Sequence, residues 1–139
     1  MSQPVRILVV DDDTALLRAF DRTFGRRYAV LTADSGEAAL LFLRAQPIDV
    51  VLVDYSMPGM SGIELVRRIA AEHPGIGRLM LTAYADLPEV LELKAAELVA
   101  AILPKPWERG EVEAAIAKAV RLASMRRAVE TMKARMQPG

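Results

Sequence analysis

Four apolar runs in this chain each end on a residue able to do polar chemistry. Val5-Arg6-Ile7-Leu8-Val9-Val10 ends on Asp11, Asp12 and Asp13, and Val50-Val51-Leu52-Val53 ends on Asp54. Arg78-Leu79-Met80-Leu81 ends on Thr82, and Ala100-Ala101-Ile102-Leu103 stops just before Lys105. If these runs are parallel strands, their ends converge on one rim, the crevice in which open α/β sheets bind ligands. Carboxylates gathered there repel one another and resist full ionisation unless a hard divalent cation neutralises them. Magnesium suits such a site, because it takes one or two carboxylates and a carbonyl, keeps several waters and leaves room for a phosphoryl oxygen. An ammonium from Lys105 and a hydroxyl from Thr82 would hold the remaining phosphoryl oxygens. That is the positioning and charge neutralisation phosphoryl transfer needs, with Asp54 at its centre.

The elements that must position these residues follow from periodicity. Val50 to Val53 have no polar alternation, as expected of a strand covered on both faces. Met57-Pro58-Gly59 stops it, and Ser61 with Glu64 forms a capping box for a helix to about Ala71. Leu17, Phe20 and Phe24 mark a helix over 14–24 that Gly25 ends. Tyr28 to Thr32 reads as a short strand. Ser35 and Gly36 open a helix whose apolar stripe is Leu40, Leu41 and Leu43. After the break His73-Pro74-Gly75 and the Thr82 strand, Asp86 is expected to cap a helix with Pro88 in its first turn and Glu89 completing a second capping box. Leu93 falls off the stripe of that helix and is expected to be exposed. A last helix starts near Trp107 or Glu108. Strand and helix alternate five times with short loops, which predicts an α/β, doubly wound, five-stranded parallel sheet with helices on both faces.

Composition sets the outer bounds. A chain of 139 residues, 53% hydrophobic, supports one domain with a real core and is too short for two ordinary ones. Eighteen basic residues balance eighteen acidic ones, so no general affinity for nucleic acid or an anionic membrane is expected. The absence of cysteine excludes disulfides, thiol catalysis and cysteine-ligated metal, and accords with a cytoplasmic protein. The opening apolar run is far too short for a signal peptide or a membrane span.

In order and each at a strand end, Leu8-Val9-Val10-Asp11-Asp12-Asp13, Val53-Asp54-Tyr55-Ser56-Met57-Pro58-Gly59-Met60-Ser61-Gly62, Leu81-Thr82-Ala83 and Leu103-Pro104-Lys105-Pro106-Trp107 carry a resemblance. Over residues 1–122 the chain resembles a response-regulator receiver domain of two-component signal transduction. The resemblance implies the flavodoxin-like strand order 2-1-3-4-5. It implies that Asp54 takes a phosphoryl group from the phosphohistidine of a sensor histidine kinase. Asp12 would be a direct Mg2+ ligand, Asp11 would act largely through water, and Asp54 and the main-chain carbonyl of Ser56 would complete the protein ligands. Thr82 would be the switch hydroxyl, Lys105 the phosphate-pairing cation, and Lys105-Pro106 a peptide often cis in the family. Such a domain is a phosphorelay signalling protein, with self-phosphorylation and autodephosphorylation as its only chemistry, that switches a partner or output surface. Three positions depart from the pattern: Ile102 stands where an aromatic is common, Pro104 precedes the lysine, and Lys94-Ala95-Ala96-Glu97-Leu98 lacks the glycine that usually ends the fourth helix.

Competing readings remain at this level. Asp11-Asp12-Asp13-Thr14 superficially resembles the motif of haloacid-dehalogenase phosphohydrolases, with Asp11 as nucleophile, but Ala15 occupies the fifth position and no cap insertion is present. A degenerate receiver serving only as a binding module is the third reading, opposed by the full set of site residues. Asp13 alone reads as an N-cap. Tyr84 reads equally as an exposed ring or as a cover over the phosphate, and His73 is given no role. The final helix is longer than a receiver requires. Leu122, Met125, Val129, Met132 and Met136 recur at steps of three and four, out of phase with the Val112, Ala115, Ile116 and Ala119 stripe. Residues 123–139 are therefore expected to leave the domain at Leu122 as a helical extension, either a homodimer seam or a coiled-coil linker to an output domain or effector, with a frayed, Met-rich tail as the alternative.

Overall fold

The computed structural model describes residues 3–137, so residues 1–2 of the expected receiver unit and 138–139 of the expected extension lie outside the described residues. The chain runs β1 (Arg6–Val10), α1 (Thr14–Phe24), β2 (Ala29–Ala33), α2 (Gly36–Ala45), β3 (Val50–Asp54), α3 (Gly62–Glu72), β4 (Gly77–Thr82), α4 (Pro88–Ala95), β5 (Ala101–Pro104) and α5 (Arg109–Met136). All neighbouring strands are parallel, in the order β2-β1-β3-β4-β5. Every residue of β3 and β4 is buried, as their unbroken apolar runs require.

Alternate strand residues feed two cores. Leu8, Val10, Val51, Val53 and Met80 face α2, α3 and α4, whereas Ile7, Val9, Val50, Leu52, Leu79 and Leu81 face α1 and α5. On the second face Trp107 packs on Phe20 and Phe24 at ring-centroid distances of 5.9 and 5.3 Å. Trp107 thus packs, partly buried, against this core, and α5 begins two residues later, capped by the Glu108 carboxylate accepting from the Gly110 and Glu111 amides. Pro104 lies in the edge strand β5, where a missing amide is tolerated.

Several local expectations are corrected. Leu41 is 64% exposed while Leu40 and Leu43 are buried, because the inward face of α2 continues the Gly36, Ala39, Leu40, Leu43 spacing. Asp86 does not cap α4. The residue before Pro88 is held extended, so Leu87 becomes the N-cap without a side-chain bond, and Glu89 has no capping box to complete. Starting at Pro88 puts Val90 and Leu93 three apart on the inward face, so Leu93 is fully buried and Leu91 is the exposed leucine.

Without a glycine, α4 still ends in a Schellman turn. Glu97 adopts φ 59°, its amide donates to Lys94 O and the Leu98 amide to Leu93 O. Helix α5 continues unbroken for 28 residues. It lies close against the sheet at Gly77, where a Cβ would stand 2.9 Å from Ala119 O. It parts from the domain later than expected: Ala123 is buried, and Arg126 and Arg127 donate to Glu97 O and Gly75 O at 3.3 Å each. No helix among the described residues is long and apolar enough to cross a membrane.

Candidate functional site

The rim at the carboxyl ends of the strands holds the expected cluster. Asp11 follows β1 directly, anchored by its amide to Ala33 O at 3.1 Å, and is 1% exposed. Its Oδ1 accepts the Asp13 amide at 2.9 Å, which fixes the carboxylate over the turn. Asp13 itself accepts from the Ala15 and Leu16 amides and is the N-cap of α1, as its position suggested. Asp12 is exposed to solvent at the same turn. Asp54 is the last residue of β3, in register with Leu81 of β4, and is 4% exposed. Ligand oxygens of Asp11, Asp12 and Asp54 all lie within 4.8 Å of one another.

Lys105 crosses the rim to meet them. Its amide donates to Thr82 O at 3.1 Å, which pins the start of the loop after β5, and the Lys105-Pro106 peptide is cis. Its Nζ lies 2.7 Å from Asp54 Oδ1 and 3.1 Å from Asp11 Oδ2. Burial pushes the Asp54 carboxyl above its ordinary range. The Lys105 hydrogen bond and a backbone hydrogen bond with Ser56 oppose the rise, and the Asp11 charge adds to it. For Lys105 burial acts downward, but the hydrogen bonds and charges of Asp54 and Asp11 outweigh it and the ammonium is raised. One ammonium thus pairs with two carboxylates of a cluster of three, and the uncompensated negative charge and hard oxygen donors suit a small divalent cation. The residues present fit magnesium.

Thr82 ends β4 opposite Pro104, is 2% exposed, and its Oγ1 accepts the Tyr84 amide at 2.9 Å. Ser56 lies two residues beyond Asp54 in the loop after β3. Ile102 is half-buried against the α2–α4 core. Three contributors went unread in the sequence. A Cβ on Gly62 would stand 2.2 Å from Asp54 O, so only glycine lets the start of α3 approach the end of β3. Tyr55 donates its hydroxyl to Glu89 Oε1, linking the loop after β3 to α4. The Tyr55 ring meets the largely exposed Tyr84 ring edge-on at 6.4 Å. Glu89 carried only a capping-box signal, and nothing local marks a contact across 34 residues.

Fold and rim together define a flavodoxin-like α/β domain with an acid-and-lysine site at the ends of its central strands. The chain belongs to the response regulator receiver domain family, whose model matches residues 7–117. It is 35% identical over 102 residues to the hydrogenase transcriptional regulatory protein HoxA of Cupriavidus necator, a match covering 73% of this chain and 21% of that protein. The chain therefore spans about a fifth of the length of that curated relative. Among solved structures, one described as adenylate cyclase from Rhodopirellula baltica superposes with a TM-score of 0.85 at 32% identity, covering 94% of this chain and 97% of that one. Response regulator TrrA from Thermotoga maritima, solved in complex with Mg(2+)-BeF, gives a TM-score of 0.74 at 28% identity, covering 83% and 98%. The chain is thus a receiver domain of two-component signalling, a phosphorelay module in class.

Proposed function

We propose that Asp54 is the phosphoacceptor and that its donor is a phosphohistidine on a sensor histidine kinase. The observation that carries this is the convergence of Lys105 Nζ, 2.7 Å from Asp54 Oδ1, with two further aspartates at the same strand ends. An Asp54 carboxylate oxygen attacks phosphorus, the P–N bond breaks, and its electron pair returns to the imidazole. Before transfer the Lys105 hydrogen bond favours the ionised form of Asp54 and offsets part of the rise that burial imposes on its carboxyl. As the phosphoryl group arrives, the ammonium exchanges its carboxylate contact for a phosphoryl oxygen. Asp11, Asp12, Asp54 and the Ser56 carbonyl would hold Mg2+, which when bound supplies charge neutralisation at the phosphoryl oxygens. Thr82 would release its bond from the Tyr84 amide and turn to the phosphoryl group, shifting the loop that leads to α4. Ile102 has no hydroxyl to bring from water to interior, so the Tyr55–Glu89 link is the more direct connection from the site to α4.

Self-phosphorylation and autodephosphorylation are the only chemistry assigned, and the module is placed in the cytoplasm, in keeping with a cysteine-free chain. Residues 123–139 are read as an extension that joins the receiver to a partner or output segment. The test is incubation with acetyl phosphate and Mg2+. Asp54→Asn should abolish incorporation while the fold survives, and a chelator should stop incorporation in the unmodified protein. Label retained by Asp54→Asn and lost in Asp11→Asn would instead assign a dehalogenase-like nucleophile, and no label in any form would make the chain a binding module.

A further inference from the structure

Below the opposite end of the sheet, the overhang of α5 and the domain enclose an open groove of about 940 Å³. One wall is helical, formed by Leu122, Met125 and Val129, and the other is the lower edge of the domain at Pro74, Val99 and Ala100. The helical stripe continues past the groove as Met132 and Met136, and every member from Met125 onward is roughly half exposed or more. From Leu122 to Met136 it is about 21 Å long at 1.5 Å per residue. Cations border it. Lys94, Lys118, Arg126 and Arg127 line the groove against Glu97 and Glu130, and Lys133 and Arg135 follow along the helix. Among the described residues none of these six cations takes part in an ion pair; Arg126 and Arg127 each donate to a backbone carbonyl of the domain, Glu97 O and Gly75 O, and keep their charge unpaired.

Heptad positions decide what fits. With Leu122, Val129 and Met136 at a and Met125 and Met132 at d, the e positions are Arg126 and Lys133 and the g positions Arg121, Ala128 and Arg135. In a pair of identical helices, parallel or antiparallel, e and g residues face e and g residues of the other copy. Here every charged one is basic, so a second copy meets like charge along both flanks. An acidic partner meets opposite charge at the same places. The concave shape also favours a cylinder over a flat surface, because the domain edge overhangs one side of the stripe. Methionines at three of the five seam positions adapt to varied side chains.

We propose that this groove docks an amphipathic helix of a partner protein whose apolar seam is flanked by glutamate or aspartate. It lies at the end of the domain away from Asp54 and is independent of the phosphoacceptor assignment. The probe is a fluorescent three-heptad peptide with leucine at a and d and glutamate at e and g, compared with a twin carrying lysine at e and g, both titrated with the full chain. The expected result is binding of the glutamate peptide at least about tenfold tighter than its twin, a difference of about 1.4 kcal/mol, weakening as salt rises. Val129→Asp lies beyond the last buried residue of α5, Ala123, and should abolish that binding while leaving the thermal melt unchanged. Equal binding of the two peptides, or binding indifferent to Val129→Asp, overturns the proposal. So does a dimer in sedimentation that Val129→Asp dissolves, which would assign the groove to a second copy. Val129-dependent binding to phosphatidylserine vesicles without peptide binding would assign it to a membrane.

Discussion

Lys105→Met keeps the aliphatic stem and removes the one ammonium that faces the buried acids. At an effective dielectric of about 20, Coulomb attraction is about 6 kcal/mol at the 2.7 Å contact with Asp54 and about 5 kcal/mol at the 3.1 Å contact with Asp11. Desolvation of the ammonium and repulsion between the acids offset most of this. Breaking a buried pair costs about 3–5 kcal/mol, and the lysine side chain is 26% exposed, so the net loss at pH 7 without magnesium is about 2–3 kcal/mol. At about 4 °C per kcal/mol, Tm should fall by about 8–12 °C. The pH dependence has a definite sign. Asp54 already titrates above its ordinary range, and without its lysine hydrogen bond it rises further. As pH falls through that raised value the folded state takes up the proton first, and a neutral carboxyl needs no ammonium. The deficit relative to the unmodified protein is therefore full at neutral pH and shrinks towards about pH 4. On the lysine side, the raised ammonium contributes fully below its unfolded pKa and is lost as pH rises through its folded one, so the deficit also closes in strong base. Urea melts of both proteins across pH measure it. A deficit below about 0.5 kcal/mol at pH 7, or one unchanged between pH 7 and pH 4, would refute the idea that Lys105 compensates these carboxylates.

Gly62→Ala must push a methyl group against the Asp54 carbonyl, 2.2 Å away, so it should cost about 1–3 kcal/mol in denaturant melts and slow phosphoryl uptake from acetyl phosphate; unchanged uptake would mean the approach of α3 to β3 does not hold the acceptor. Glu97→Gly relieves a side chain from the left-handed region and should stabilise the fold by about 0.5–1 kcal/mol, read from the same melts. Leu93→Ala should cost about 2–5 kcal/mol and Leu91→Ala less than about 0.5, a contrast that fails if α4 does not start at Pro88.

What could be read from the chain beforehand divides along physical lines. Strands of a parallel sheet leave apolar runs, unbroken where both faces are covered as in β3 and β4, so β1, β3, β4 and β5 were legible, and with them the carboxylates, threonine and lysine at their ends. Asp13 and Ser61 were legible as caps because capping is a contact between near neighbours. Asp86 failed because Pro88 constrains the residue before it, and that conflict overrode a locally plausible cap. Leu93 was misplaced by the same shift of helix start. Gly62, Tyr55 and Glu89 act through approaches between separate elements, which no local period encodes. Past the change of stripe at Leu122, Ala123 is still buried and Arg126 and Arg127 still reach carbonyls of other loops, contacts between separate elements that the stripe does not encode. Glu97 shows that an absent glycine need not move a helix end when the Schellman bonds can still form.

The central claim is that Asp54 carries the phosphoryl group. The most direct measurement is treatment of the unmodified chain with acetyl phosphate and Mg2+, reduction of the aspartyl phosphate with borohydride to homoserine, and peptide mass spectrometry. Homoserine at position 54 and at no other aspartate is the predicted result. Homoserine at position 11 or 12, with position 54 unchanged, would contradict it.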